Sequence, residues 1–125
     1  MAMLLALDEG TSSCRTVAFD LCGCIKSVSQ QEFQQHYPQA GWVEHDAIEI
    51  RDKQLETMRV VLADLGPNED VLGVGITNQR ETVVVWDRRT GMPIHNAIVW
   101  QDRRTSEWME SLASDAAVVD LIRTR

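Results

Sequence analysis

The stretch Leu4–Arg15, LLALDEGTSSCR, decides how this chain folds. An apolar run leads into Asp8, Glu9-Gly10 breaks it, and the hydroxyls of Thr11, Ser12 and Ser13 precede a second apolar run, TVAF, at Thr16–Phe19. That order predicts strand, tight turn, strand. The turn carries a carboxylate, a glycine and a row of hydroxyls and backbone N–H groups, which is the chemistry needed to hold a phosphate and its metal ion. An ordinary polar hairpin turn has the same spacing, so at this point both readings stand.

Working outward, Cys14–Asp20 alternates as a strand, Leu21–Gly23 supplies the next turn, and Cys24–Phe33 predicts a third strand. The first three strands are therefore expected to be successive antiparallel neighbours. His36–Asp46 reads as a loop ending in a helix N-cap, Asp46, with Glu49 three residues on. A helix over Ala47–Ala63 follows, with Ile48, Leu55, Met58 and Leu62 on its predicted apolar face and Gly66-Pro67-Asn68 as its stop. Val71–Thr77 is almost wholly apolar and predicts a parallel strand buried on both faces, with close backbone approach as the reason for Gly73 and Gly75. Thr82–Asp87 and Pro93–Trp100 read as two further strands joined by a turn. A helix starting at Gln101, capped by Asp102, and a last helix capped by Ser114 or Asp115 complete a mixed α/β sheet architecture.

At 125 residues, 44% apolar and 25% charged, the composition is that of one ordinary globular unit. A formal net charge of −7 argues against nucleic acid or an anionic membrane surface, since both demand a basic footprint. ATP remains open to an acidic protein, because Mg²⁺ and oriented backbone N–H groups do locally what net charge does not. The N-terminal run has no basic lead and is too short to span a membrane, so the expected compartment is the cytoplasm. Cys14, Cys22 and Cys24 read as reduced thiols, the last two being spaced wrongly for zinc and tightly for a disulfide. His36, His45 and His95 are scattered and suggest no metal site.

No Walker-type or dinucleotide fingerprint is present. Arg80-Glu81, however, falls at the C-terminal end of a predicted sheet strand, where open α/β sheets place ligands. Arg donates and Glu accepts, and a small polyol offers both partners on neighbouring hydroxyls. Trp100 would give an apolar wall to the C–H face of such a ligand. A solvated charge pair and a core Trp are the alternative.

The blocks LALDEGTSSCRTVAFD, YPQAGWVEHD and GITNQRETVVVWDRRTGMPIHNAIVWQDRRT, with LIRTR more loosely, resemble in order the N-terminal part of the glycerol kinase branch of the FGGY carbohydrate kinases. The resemblance implies a ribonuclease H-like, actin-type ATPase fold, with the active site in a cleft between two such domains. Residues 1–125 would be the N-terminal part of the first domain, the second being absent. Carried over position by position, Thr11, Ser12, Ser13 and Arg15 would meet the ATP phosphates. Asp8 would lie near Mg²⁺, directly or through water, and Arg80, Glu81 and Trp100 would bind glycerol.

The chain departs from that pattern at Glu9, where Gln is usual, and at Cys14, where Ser is usual. The resemblance also places the general-base Asp, a further glycerol-binding Tyr and the adenosine-binding domain beyond Arg125. The expectation is thus a fragment of an ATP-dependent glycerol kinase, inactive by itself and prone to self-associate as a homo-oligomer. Another sugar or polyol kinase of the family, a pseudo-kinase, and an actin- or chaperone-like nucleotide-binding interaction protein are the rivals.

Overall fold

The computed structural model describes residues 1–124, and Arg125, at which the LIRTR block ends, lies outside the described residues. Strands β1 (Ala2–Glu9), β2 (Ser13–Asp20) and β3 (Ile25–Glu32) form the antiparallel meander expected from their turns. Helix α1 (Ala47–Leu65) carries the chain over the sheet to β5 (Asp70–Thr77), which pairs parallel to β1 and completes the order β3-β2-β1-β5. A small second sheet pairs β4 (Glu44–His45) with β6 (Ala97–Ile98), and helices α2 (Ser106–Ser114) and α3 (Ala116–Arg123) follow.

Local chemistry places the element ends. The Asp46 carboxylate accepts from the amides of Ile48 (2.8 Å) and Glu49 (3.3 Å), as an N-cap should, and Asp115 does the same for α3. The β2–β3 hairpin closes through Gly23 in the left-handed region, with the Asp20 carboxylate accepting from the amides of Cys22 and Cys24.

Packing revises four expectations. First, the face of α1 that enters the core is Gln54, Thr57 and Val61, with Met58 beside them, while Leu55 and Leu62 stay on the outside. The polar pair is tolerated because β2 presents Thr16 to it. The Thr16 and Thr57 hydroxyls lie 2.9 Å apart, and the Gln54 amide donates to both and to the Arg15 carbonyl. The Gln54 NH₂ and the Thr57 hydroxyl are satisfied and only the Gln54 Oε1 finds no partner among the described residues, so polar residues enter the stripe where hydrophobic periodicity alone expects leucines. Leu5, Ala18 and Val61 form the apolar centre above it, each large side chain contributing about 1.5–3 kcal/mol by burial.

Second, β5 is not buried on both faces. It is an edge strand whose residues are exposed apart from a half-buried Gly73, because α1 packs on β2 and β3 and, among the described residues, nothing pairs with the outer edge of β5. A Cβ at Gly73 or Gly75 would meet its nearest neighbour at 3.6 or 3.9 Å, an ordinary contact, so close approach does not explain these glycines. Third, Thr82–Asp87 and Pro93–Trp100 do run alongside one another, but through isolated bridges at Val83–Ile98 and Trp86–Pro93, and the strand within the second segment, β6, pairs with β4 instead. Pro93 lacks the amide that a continuous ladder requires. Fourth, α2 starts at Ser106, and Asp102 is not its cap. The Asp102 carboxylate instead accepts from the Val43 amide and the Arg104 guanidinium.

Candidate functional site

The turn between β1 and β2 closes with the Gly10 amide donating to the Ser13 carbonyl at 3.0 Å. A Cβ at Gly10 would sit 3.1 Å from that same oxygen, which is why the position suits glycine. Behind the turn, three carbonyls are held from one side: Gly10 by the Gln79 amide (2.8 Å), Thr11 by the Gln35 amide (3.2 Å) and Ser12 by the Phe33 N–H (3.3 Å). Among the described residues the N–H groups of Thr11 and Ser12 find no protein partner. Amides left free while the carbonyls are tied back are suited to an anion.

The opposite wall comes from the segment after β5. Gln79 and Thr82 close a turn whose tip is Arg80-Glu81, and Glu81 has φ +61°. A non-glycine residue there costs about 1–2 kcal/mol. Such strain survives only where the surroundings enforce it, so it marks the tip as a candidate site. Both side chains are exposed, and among the described residues neither makes an ion pair.

A cavity of about 280 Å³ lies between these walls, lined by Asp8, Glu9, Thr11, Arg80, Glu81 and Trp100 together with Gly10, Asn78 and Gln79. The Trp100 indole N–H donates to the Thr11 hydroxyl at 3.3 Å across 89 residues of sequence. Five of the eight residues singled out from sequence therefore line one cavity, and Ser12, Ser13 and Arg15 lie outside that lining. The Ser13 hydroxyl accepts from Gln30, and the Arg15 guanidinium pairs with the Asp8 carboxylate at 2.7 Å.

The two departures at the turn have local accounts. Glu9 lies on the α1 face of β1, where burial raises its carboxyl pKa. It separates the site cavity from a larger, apolar one of about 450 Å³ lined by Leu7, Ile50, Leu55 and Trp86. Cys14 is fully buried, donates toward the Ile50 carbonyl, and burial first, then the Glu9 carboxylate, pushes its thiol up to about 11. It is an inert core thiol.

Arg104 is clamped between Glu44 and Asp102, donating to each at 2.8 Å, and its guanidinium stacks 3.8 Å over Trp42. The Arg104 hydrogen bond holds the Asp102 carboxyl at about 2. For Glu44 burial opposes the charge, but Arg104 and the Asn96 amide more than offset it, and its pKa also falls. Sequence reading missed this clamp, and it missed Gln35, His45 and Gln79 behind the turn. No local pattern marks any of them: each gains its role from a partner distant in sequence.

A family model described as "FGGY family of carbohydrate kinases, N-terminal domain" matches residues 3–124. A glycerol kinase of Leptothrix cholodnii is 55% identical over 126 residues, an alignment covering 100% of this chain and 25% of that protein. The structure of Plasmodium falciparum glycerol kinase with ADP superposes with a TM-score of 0.85 at 36% identity, over 92% of this chain and 23% of that one. A xylulose kinase from Rhodospirillum rubrum superposes with a TM-score of 0.84 at 22% identity, over 91% of this chain and 24% of that one, a likeness of fold. The chain thus spans about a quarter of the length of these relatives.

Proposed function

Because the chain belongs to the FGGY family of carbohydrate kinases, we propose that it forms the first wall of an ATP-dependent glycerol kinase, which makes sn-glycerol 3-phosphate. The observation that carries this reading is the cavity joining Thr11 to Arg80, Glu81 and Trp100, because it sets a phosphate-type turn opposite a donor–acceptor pair and an indole face. In the reaction a terminal hydroxyl oxygen of glycerol attacks the γ-phosphorus, the bond to the ADP oxygen breaks, and a base takes the hydroxyl proton. We place that base, and the second domain of the cleft, in the length that the relatives have and this chain does not.

Within this wall, the free amides of Thr11 and Ser12 and the hydroxyls of Thr11, Ser12 and Ser13 donate to phosphate oxygens. Arg15, now on Asp8, adds its charge to them. Phosphoryl transfer asks the protein mainly for such positioning and charge stabilisation. Mg²⁺ usually keeps several waters and takes one or two carboxylates beside the phosphates. Asp8, with Glu9 next to it in the cavity, fits that limited demand, and the ion would neutralise charge on the phosphates. Arg80 donates to one glycerol hydroxyl, Glu81 accepts from another, and Trp100 covers the carbon chain. The compartment we propose is the cytoplasm, and the apolar edge strand β5 supports self-association.

The test is a substrate panel on the protein at its relatives' full length. Glycerol should be phosphorylated far better than a pentulose such as xylulose, and the reverse order overturns the reading in favour of another sugar kinase. Binding of nucleotide without any polyol would favour an interaction protein. Arg80→Ala should raise the glycerol KM about ten- to a hundredfold, the loss expected for hydrogen bonds from a charged donor.

A further inference from the structure

His45 is fully buried and lies behind both walls of the cavity, though it touches neither the cavity nor any residue placed on a ligand above. Its Nε2 faces the Gln35 Oε1, and its Nδ1 faces the Gln79 amide nitrogen at 3.5 Å. Both glutamines are oriented by partners that can only accept. The Gln35 NH₂ donates to the Thr11 carbonyl at 3.2 Å, and the Gln79 NH₂ donates to the Gly10 carbonyl at 2.8 Å. The Gln35 oxygen therefore requires a hydrogen on Nε2, and the Gln79 NH₂ requires a lone pair on Nδ1. Only one neutral tautomer satisfies the arrangement.

The chain of bonds continues to the other wall. The Gln79 Oε1 accepts from the Thr82 hydroxyl at 3.2 Å, and the Thr82 oxygen accepts from the Trp100 backbone N–H at 3.3 Å. We propose that His45 is a positioning residue which, as its neutral Nε2–H tautomer, ties the phosphate turn at Gly10–Thr11 to the Trp100 wall and sets the spacing between them. This rests on the function proposed above for those two walls.

Adding a proton to Nδ1 sets two donors face to face and opens the link at Gln79. Burial disfavours that proton, as does His36 on the segment preceding β4. Glu49 on α1 favours it, and the Phe33 and His45 rings pack edge to face with centroids 4.9 Å apart. The balance keeps the ring neutral at neutral pH and makes its protonation an acid-side event.

The experiment follows the histidine ring nitrogens, the Thr11 amide and the Trp100 backbone N–H by NMR on this chain across pH 7.5 to pH 4.5. His45 should show the Nε2–H form and take up its proton below the ordinary imidazole value of 6.5. The Thr11 and Trp100 signals should then move with the His45 midpoint. In Gln79→Met, the Thr11 response should persist through Gln35 while the Trp100 response disappears. An Nδ1–H tautomer, a His45 midpoint at or above 6.5, or a Trp100 signal indifferent to that midpoint would overturn the proposal, and none of these outcomes depends on ligand. Glycerol affinity of the full-length protein should weaken about tenfold per pH unit below that midpoint, and this slope should vanish in Gln79→Met. If the NMR results hold but glycerol does not bind at any pH, it is the functional reading that fails and the positioning role that stands.

Discussion

The two walls of the cavity are held in opposite ways. The Gly10–Ser13 turn is fixed through its own backbone, with three carbonyls bonded from behind and a glycine where a side chain would crowd the closing bond. The Arg80–Trp100 wall rests on the short β4–β6 pair and on isolated bridges rather than on the main sheet. It is held by a strained residue, isolated bridges and a buried ion cluster. A wall made of backbone amides suits a ligand common to many proteins, such as a phosphate. A wall made of side chains on an irregular segment can be re-cut for one sugar or polyol without disturbing the sheet.

That contrast can be broken most forcefully at Arg104. Arg104→Ala leaves the Glu44 and Asp102 carboxylates buried without their cation, and urea denaturation should register a loss of about 3–5 kcal/mol. A loss under about 1 kcal/mol would mean that the ion cluster does not carry the second wall. Acid titration separates the walls next. Asp102 is held at about 2 in the fold against 3.8 unfolded, so its contribution is complete above pH 3.8 and is lost as pH falls toward about 2. His45 acts earlier: its pKa is lowered from 6.5, so its neutral, folded form costs stability as pH drops below 6.5, where the unfolded ring takes up a proton. A stability profile flat from pH 7 to pH 5 would contradict this.

Smaller effects sharpen the comparison. Glu81→Gly should relieve about 1 kcal/mol of left-handed strain and lose a similar amount to chain entropy, so thermal unfolding should stay nearly unchanged while glycerol affinity falls. A marked loss of stability would show that the Glu81 side chain supports the fold. Smallest of all, Arg15→Gln removes an exposed ion pair with Asp8, and its cost should stay under about 1 kcal/mol and shrink further with added salt.

Much of this was readable beforehand. The meander, the Asp46 cap, a last helix capped at Ser114 or Asp115 and the crossover to a parallel strand rest on turn residues, capping side chains and short periodic runs, all of which act within a few residues. Arg80, Glu81 and Trp100 were likewise marked by their chemistry and by their places at element ends. The misreadings share one origin. Leu55 and Leu62 were assigned to the core because apolar spacing was the visible signal, whereas Gln54 and Thr57 are admitted by a hydroxyl on β2 some forty residues earlier. Asp102 looked like a cap, yet Arg104 and the Val43 amide claimed it.

The sequence by itself determined the meander, the capped crossover helix, the glycine-closed turn of Leu4–Arg15 and the donor–acceptor pair at Arg80-Glu81. Each of these depends on neighbours along the chain. Tertiary structure alone decided that Thr11 meets Trp100, that His45 sits behind both walls, and that Glu81 is strained. The reason is physical: a buried polar group is stable only if a particular partner arrives from elsewhere, and that arrival depends on the packing of the whole domain rather than on any local pattern.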